Sequence, residues 1–104
     1  MDVIIFIFCF FGGAFITNAV PHFVHGTSGK KFQSPFAKPP GVGLSSPLVN
    51  TVWGLFNLGI GLFLSFYMGN PFTNLTSILV FSAGCVITAI GLSWYFGKIN
   101  SDQT

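Results

Sequence analysis

Two histidines are the side chains of this chain best suited to ligand or proton chemistry. His22 and His25 lie three residues apart, so they share a face if a helix continues through Pro21. Imidazole can bind a metal or a haem iron, or exchange a proton near neutral pH. The sequence has no Glu, and its two Asp residues are at positions 2 and 102, so a tetrahedral site would need ligands from another subunit. We therefore predict no metal site and no cofactor, and we interpret the two histidines as titratable groups hydrogen-bonded to the loop that follows.

Small and amide side chains recur at helical spacing in the apolar parts of the chain. In the middle part they follow steps of four, three and four, which place them on one helix face. Membrane helices approach closely at small residues, and amides hydrogen-bond across such contacts. These side chains are predicted to pack helices together or to line a polar pocket. The residues predicted for this role are Asn18, Asn50, Gly54, Asn57, Gly61, Gly84, Thr88 and Gly91.

Four lysines carry the positive charge of the chain, which has no Arg. Lys30, Lys31 and Lys38 lie in a Pro/Gly-rich segment, 21–48, where they alternate with phenylalanines, and Lys98 lies near the C-terminus. Basic residues at a membrane surface attract anionic lipid, at about 1 kcal/mol each, and they also fix topology. We predict that all four lysines contact lipid headgroups or set the topology.

Three long apolar stretches are the elements that must position these residues. They cover about residues 3–20, 49–68 and 75–97 and contain no charged side chain. At about 1.5 Å per residue, each is long enough to cross a hydrocarbon core of about 30 Å as a helix. A composition of 51% hydrophobic and 6% charged residues cannot supply the polar surface of a soluble domain. The predicted fold class is an all-α integral membrane protein, a single membrane domain over residues 1–104 with three transmembrane helices.

The lysines also predict an orientation. Three crossings place the 21–48 loop and the C-terminus on one side, which holds every lysine, so this side is expected to be cytoplasmic and the N-terminus outside. We expect a multi-pass protein of the cell membrane, with the long loop structured against the helix ends. The first stretch is preceded by Asp2 instead of a basic segment, so we expect it to be retained as a helix and not cleaved as a signal peptide.

Three functions of different classes are open on the sequence. The favoured one is a small accessory or regulatory subunit of a larger membrane complex, packing through its Gly/Asn helix faces. One alternative is a homo-oligomeric transporter or channel lined by the Asn/Gly face of the second stretch, and another is a His-dependent metal or haem membrane subunit. The expected partners are the lipid bilayer, another membrane protein or further copies of the chain, and anionic lipid. We predict no catalytic residue and no nucleic-acid partner.

Overall fold

The structure, a computed structural model, describes residues 3–101 and is mostly helical. Asp2 and Asp102 lie outside the described residues. The predicted set of three helices, each long and apolar enough to cross a membrane, is confirmed. The elements are α1 (Val3–Thr27), β1 (Phe32–Gln33), β2 (Leu44–Ser45), α2 (Pro47–Leu62), a π-helical continuation of α2 (Phe63–Gly69) and α3 (Leu75–Ile99).

The first helix extends beyond residue 20, where the first apolar stretch was expected to end. Pro21 lies inside α1. The proline ring removes one backbone N–H donor, a loss that helices packed against neighbours tolerate. The helix ends at Thr27, and two residues further on Gly29 has a left-handed backbone with φ +76°. The Lys30 N–H donates to the His25 carbonyl at 2.9 Å and the Gly29 N–H to the Gly26 carbonyl at 3.0 Å. This pair of bonds is the Schellman motif, so the left-handed conformation of Gly29, and not Pro21, sets the end of α1.

The other two helices begin at side-chain caps. Ser46 precedes α2 and its hydroxyl accepts the Val49 N–H at 3.2 Å, with Pro47 at the first helical position. Asn74 caps α3 by accepting the Ser77 N–H at 2.9 Å. The helical segments 47–69 and 75–99, each of spanning length, begin at or just before the predicted stretches and end slightly after them.

Helix α1 is central, and α2 and α3 pack mainly against it and only sparsely against each other. Gly26, near the end of α1, faces Thr51, near the start of α2, so these two helices are antiparallel. Two consecutive glycines let α1 approach both neighbours, because Gly12 faces the π-helical segment and Gly13 faces Phe81 of α3. The molecule is 46 Å long and 24 by 21 Å across. This length is close to that of a whole bilayer, about 40–45 Å with its headgroup regions.

The segment between α1 and α2 folds back onto the ends of the helices. Its two short strands pair antiparallel, with Phe32 opposite Ser45 and Gln33 opposite Leu44. The Tyr95 hydroxyl of α3 donates to the Gly41 carbonyl at 2.9 Å. We call residues 28–46 the cap. It closes the end of the bundle where α1 and α3 finish and α2 begins.

Candidate functional site

The most deeply buried polar group at the capped end is the amide of Asn50, in the first turn of α2. Its oxygen lies 2.8 Å from Nδ1 of His22, and Asn50 and His22 are 0% and 3% exposed. Its nitrogen donates to the carbonyl of Phe32 at 2.9 Å, and to those of Ser45 and Ser46 at 3.3 and 3.2 Å. The amide nitrogen is the donor in these bonds, so its oxygen accepts and His22 carries its proton on Nδ1. Asn50 thus joins α1, α2 and both strands of the cap.

A second polar pair, this one of two amides, lies one to two helical turns further from the cap. Asn18 of α1 donates to the Asn57 oxygen at 3.0 Å, and the Asn57 nitrogen donates to the Trp53 carbonyl at 2.8 Å. Two glycines of α2 permit this contact. A Cβ at Gly54 would lie 2.7 Å from the Phe23 nitrogen, and a Cβ at Gly61 would lie 2.7 Å from the backbone nitrogen of Ile16. We call this contact surface the α1–α2 seam, formed by Asn18, His22, Asn50, Gly54, Asn57 and Gly61.

The remaining small residues predicted for packing lie on α3 and differ among themselves. Gly84 packs directly on the Phe10 carbonyl of α1, so there is no room for a side chain there. Thr88 is half-buried and lies with Asn18 at a small recess between α1 and α3. Gly91 is exposed, and nothing lies within 4 Å of the place where its Cβ would be. Of these three residues, only Gly84 forms a close interhelical contact within the chain.

The two histidines have different surroundings, although both contact Phe32 of the cap. His25 Nδ1 lies 2.7 Å from the Pro21 carbonyl, and its ring stacks on Phe32 with centroids 4.1 Å apart. The His22 ring meets the same phenylalanine edge-on at 5.5 Å. Residues 3–101 contain no group of three or more His, Cys, Asp or Glu side chains arranged to hold a metal ion. Within the described chain the two imidazoles are hydrogen-bonded packing groups at the capped end.

Several polar side chains at the capped end were not predicted from the sequence. Gln33 and Asn100 form a reciprocal amide pair at 2.7 and 3.3 Å, which ties the first cap strand to the end of α3. The hydroxyls of Ser34 and Ser45 lie 2.5 Å apart and close the cap hairpin. Gln33 and Asn100 could have been singled out in the sequence only as amides that lie outside the predicted spans. The two serines have no distinguishing signal.

The four lysines lie at the capped end but in different surroundings. Lys30 and Lys31 line a recess of about 320 Å³ together with His25, Gln33 and other residues of this end. Lys38 and Lys98 do not line it, and Lys98 Nζ lies 5.3 Å from the centroid of the Trp94 ring. The lysines thus divide into a pair at a concave site and two residues outside it.

No family model, curated protein or solved structure matches this chain. Function is therefore inferred from geometry. The amide and imidazole groups of the α1–α2 seam bond to one another and to backbone carbonyls, which is the arrangement that buried polar groups need for stability. These bonds join α1 to α2 and to the cap, and Asn18 and His22 of the seam also line a recess of about 370 Å³ with Gln33, Ser34 and Tyr95.

Proposed function

We propose that this chain is a small multi-pass protein of the cell membrane that acts as an accessory or regulatory subunit of a larger membrane complex. The N-terminus is outside, and the cap and the C-terminus are cytoplasmic. Three spanning-length helices, a 46 Å long molecule and four lysines at one end support this location and orientation. The accessory role is supported mainly by one observation, the shape of the outward face of α2.

This outward face carries an apolar groove of about 520 Å³. Phe36 of the cap forms one wall and meets the Trp53 ring edge-on at 5.1 Å, and Trp53 stacks on Phe56 with centroids 5.8 Å apart. Leu48, Val49 and Val52 complete the lining, which has almost no polar surface. Aromatic side chains at the core of a concave apolar surface are typical of protein–protein contacts.

Gly59 continues the same face and strengthens the argument for a partner helix. Val52, Phe56, Gly59 and Phe63 follow steps of four, three and four, so they line one side of the helical segment. Nothing in the chain lies within 4 Å of a Cβ at Gly59. A glycine at such a surface lets a second membrane helix approach closely. The proposed partner contact thus runs from the aromatic groove to Gly59.

The proposed partner surface of α2 differs from the Gly/Asn face that was predicted from the sequence. The Gly/Asn face of α2 lies against α1, so a partner must use the opposite side of α2. The contact between the Gly/Asn face and α1 also disfavours the transporter alternative. A pore lined by Asn50 and Asn57 would require the α1–α2 seam to separate, with loss of its interhelical hydrogen bonds.

Native mass spectrometry of the tagged protein, extracted gently from its own membrane, tests the accessory role. We expect the wild-type protein to be released with one or more different polypeptides. Gly59→Leu should raise the dissociation constant for the partner about tenfold, the effect of about 1.4 kcal/mol of lost contact energy, and so lower the bound fraction. Gly91→Leu is the matched control, since this glycine of α3 also has open space around its Cβ position and is not on the α2 face.

Three outcomes would contradict the proposal. Release of the wild-type protein alone would remove the accessory role, and a discrete homo-oligomer without other polypeptides would favour the transporter alternative. Equal losses for Gly59→Leu and Gly91→Leu would show that the partner does not bind at the α2 face.

A further inference from the structure

We propose that the capped end binds one anionic phospholipid, with an acyl chain between α1 and α3 and the phosphate in the recess beside Lys30 and Lys31. The inference uses the membrane location proposed above but does not depend on the accessory role. It rests on the shape, the lining and the charge of two adjoining depressions on the side of the molecule away from the α2 groove.

The first depression is an apolar groove of about 540 Å³ between α1 and α3. Val20 and Pro21 line it from α1, and Ala89, Leu92 and Phe96 line it from α3. On α1 it extends from Thr17 to His25, which is about 12 Å at 1.5 Å per residue. One leaflet of a hydrocarbon core of about 30 Å is about 15 Å thick. The groove therefore has the length and the surface chemistry of a site for the upper part of one acyl chain.

The second depression is the basic recess of about 320 Å³. Lys30 and Lys31 line it together with His25, Gln33 and Asn100. The two lysine ammonium groups are donors for phosphate oxygens, whereas the Gln33 and Asn100 amides bond to each other at the wall of the recess. Residues 3–101 contain no Asp or Glu to compensate the two lysines. The recess is thus complementary to a group that carries negative charge.

The two depressions adjoin, and this continuity identifies the ligand class. His25, Phe32 and Asn100 line both of them. A free anion would use only the recess, and an uncharged apolar molecule would use only the groove. A ligand that fills both needs a hydrocarbon chain joined to an anionic head, and an anionic phospholipid has this structure. The end of the bundle that holds the lysines is also the end where the headgroups of one leaflet would lie.

Native mass spectrometry of the purified protein, titrated in detergent with phosphatidylglycerol or phosphatidylcholine, tests the proposal. We expect one phosphatidylglycerol per chain, bound in preference to phosphatidylcholine. Lys30→Gln with Lys31→Gln should weaken phosphatidylglycerol binding about 30-fold, since a basic residue near anionic lipid contributes about fivefold. The matched control is Lys38→Gln with Lys98→Gln, which removes the same charge outside the recess and should change binding less than about twofold, because screening weakens distant charges.

A second pair of variants tests the acyl-chain groove without changing charge. Ser93 lines the groove, so Ser93→Phe should weaken phosphatidylglycerol binding about tenfold by filling it, the effect of about 1.4 kcal/mol. Ser82 is exposed on the same helix and does not line the groove, so Ser82→Phe should leave binding unchanged. Equal losses for the two lysine pairs would overturn the proposal, because diffuse surface attraction would then explain binding. Unchanged binding by Ser93→Phe, or displacement of the lipid by millimolar inorganic phosphate, would overturn it as well.

Discussion

At the scale of single residues, Asn50 is the side chain on which the capped end depends most. It is fully buried, and its amide contacts His22 of α1, both strands of the cap and its own helix. Burying an amide is unfavourable unless its hydrogen bonds are restored inside the protein. This amide is satisfied at both its oxygen and its nitrogen. Asn57 makes one interhelical bond and otherwise bonds within α2.

We predict that Asn50→Leu lowers the free energy of unfolding more than Asn57→Leu does. Loss of the Asn50 amide leaves the His22 Nδ1–H and the Phe32 carbonyl without these partners, at a cost of about 2–3 kcal/mol. Asn57→Leu removes one bond between helices, at about 0.6 kcal/mol. Reversible unfolding in mixed SDS micelles measures both. Equal losses for the two leucine variants would show that the cap contacts of Asn50 contribute nothing to stability.

At the scale of elements, the central position of α1 depends on close backbone approach on both of its sides. Gly54 and Gly61 of α2 contact the backbone of α1 on one side, and Gly84 of α3 contacts it on the other. These glycines belong to the predicted packing set, and their spacing was visible in the sequence. The sequence did not distinguish them from Gly91, because a helical stripe does not show whether a neighbouring helix is present.

Gly84→Ala is expected to destabilise the protein although alanine favours helix formation. The added methyl group would press on the Phe10 carbonyl, and overpacking of this kind costs about 1–3 kcal/mol. Gly91→Ala on the same helix meets open space, so it should leave stability unchanged or raise it by up to about 1 kcal/mol. Unfolding in mixed micelles again gives the comparison. A similar response of both glycines would be inconsistent with α1 packed against this face of α3.

At the scale of the whole molecule, the three helices of spanning length were predictable from the sequence, and the capped end was only partly so. Hydrophobic length is a local property, so about 3–20, 49–68 and 75–97 were recognisable without knowledge of packing. The first apolar stretch was predicted over about residues 3–20, whereas α1 continues to Thr27 and is followed by Gly29 in the left-handed conformation that stops the helix. The pairing of Gln33 with Asn100 joins residues 67 positions apart. It depends on where α3 finishes relative to the cap, which no local pattern encodes.

The exposed surface of the helices is strongly apolar. Large apolar side chains remain exposed along the helices, including Val52 at 57%, Ile87 at 60% and Ile90 at 66%. In water such a surface would drive association, whereas a bilayer covers it with acyl chains. In the proposed membrane location, the cap and the lysines lie at one membrane surface and the short turn between α2 and α3 lies at the other. We propose membrane insertion with the cap on the cytoplasmic side, and both the partner contact and the lipid site depend on it.

Site-directed cysteine labelling of intact cells tests whether the chain crosses the membrane with this orientation. In a background with Cys9→Ala and Cys85→Ser, Thr73→Cys marks the exposed turn before α3, and Ser28→Cys marks the exposed start of the cap. A membrane-impermeant maleimide should label Thr73→Cys in intact cells and label Ser28→Cys only after permeabilisation. The reverse labelling pattern would show that the orientation is opposite to the one proposed. Labelling of both cysteines in intact cells would contradict a three-span protein with its cap in the cytoplasm.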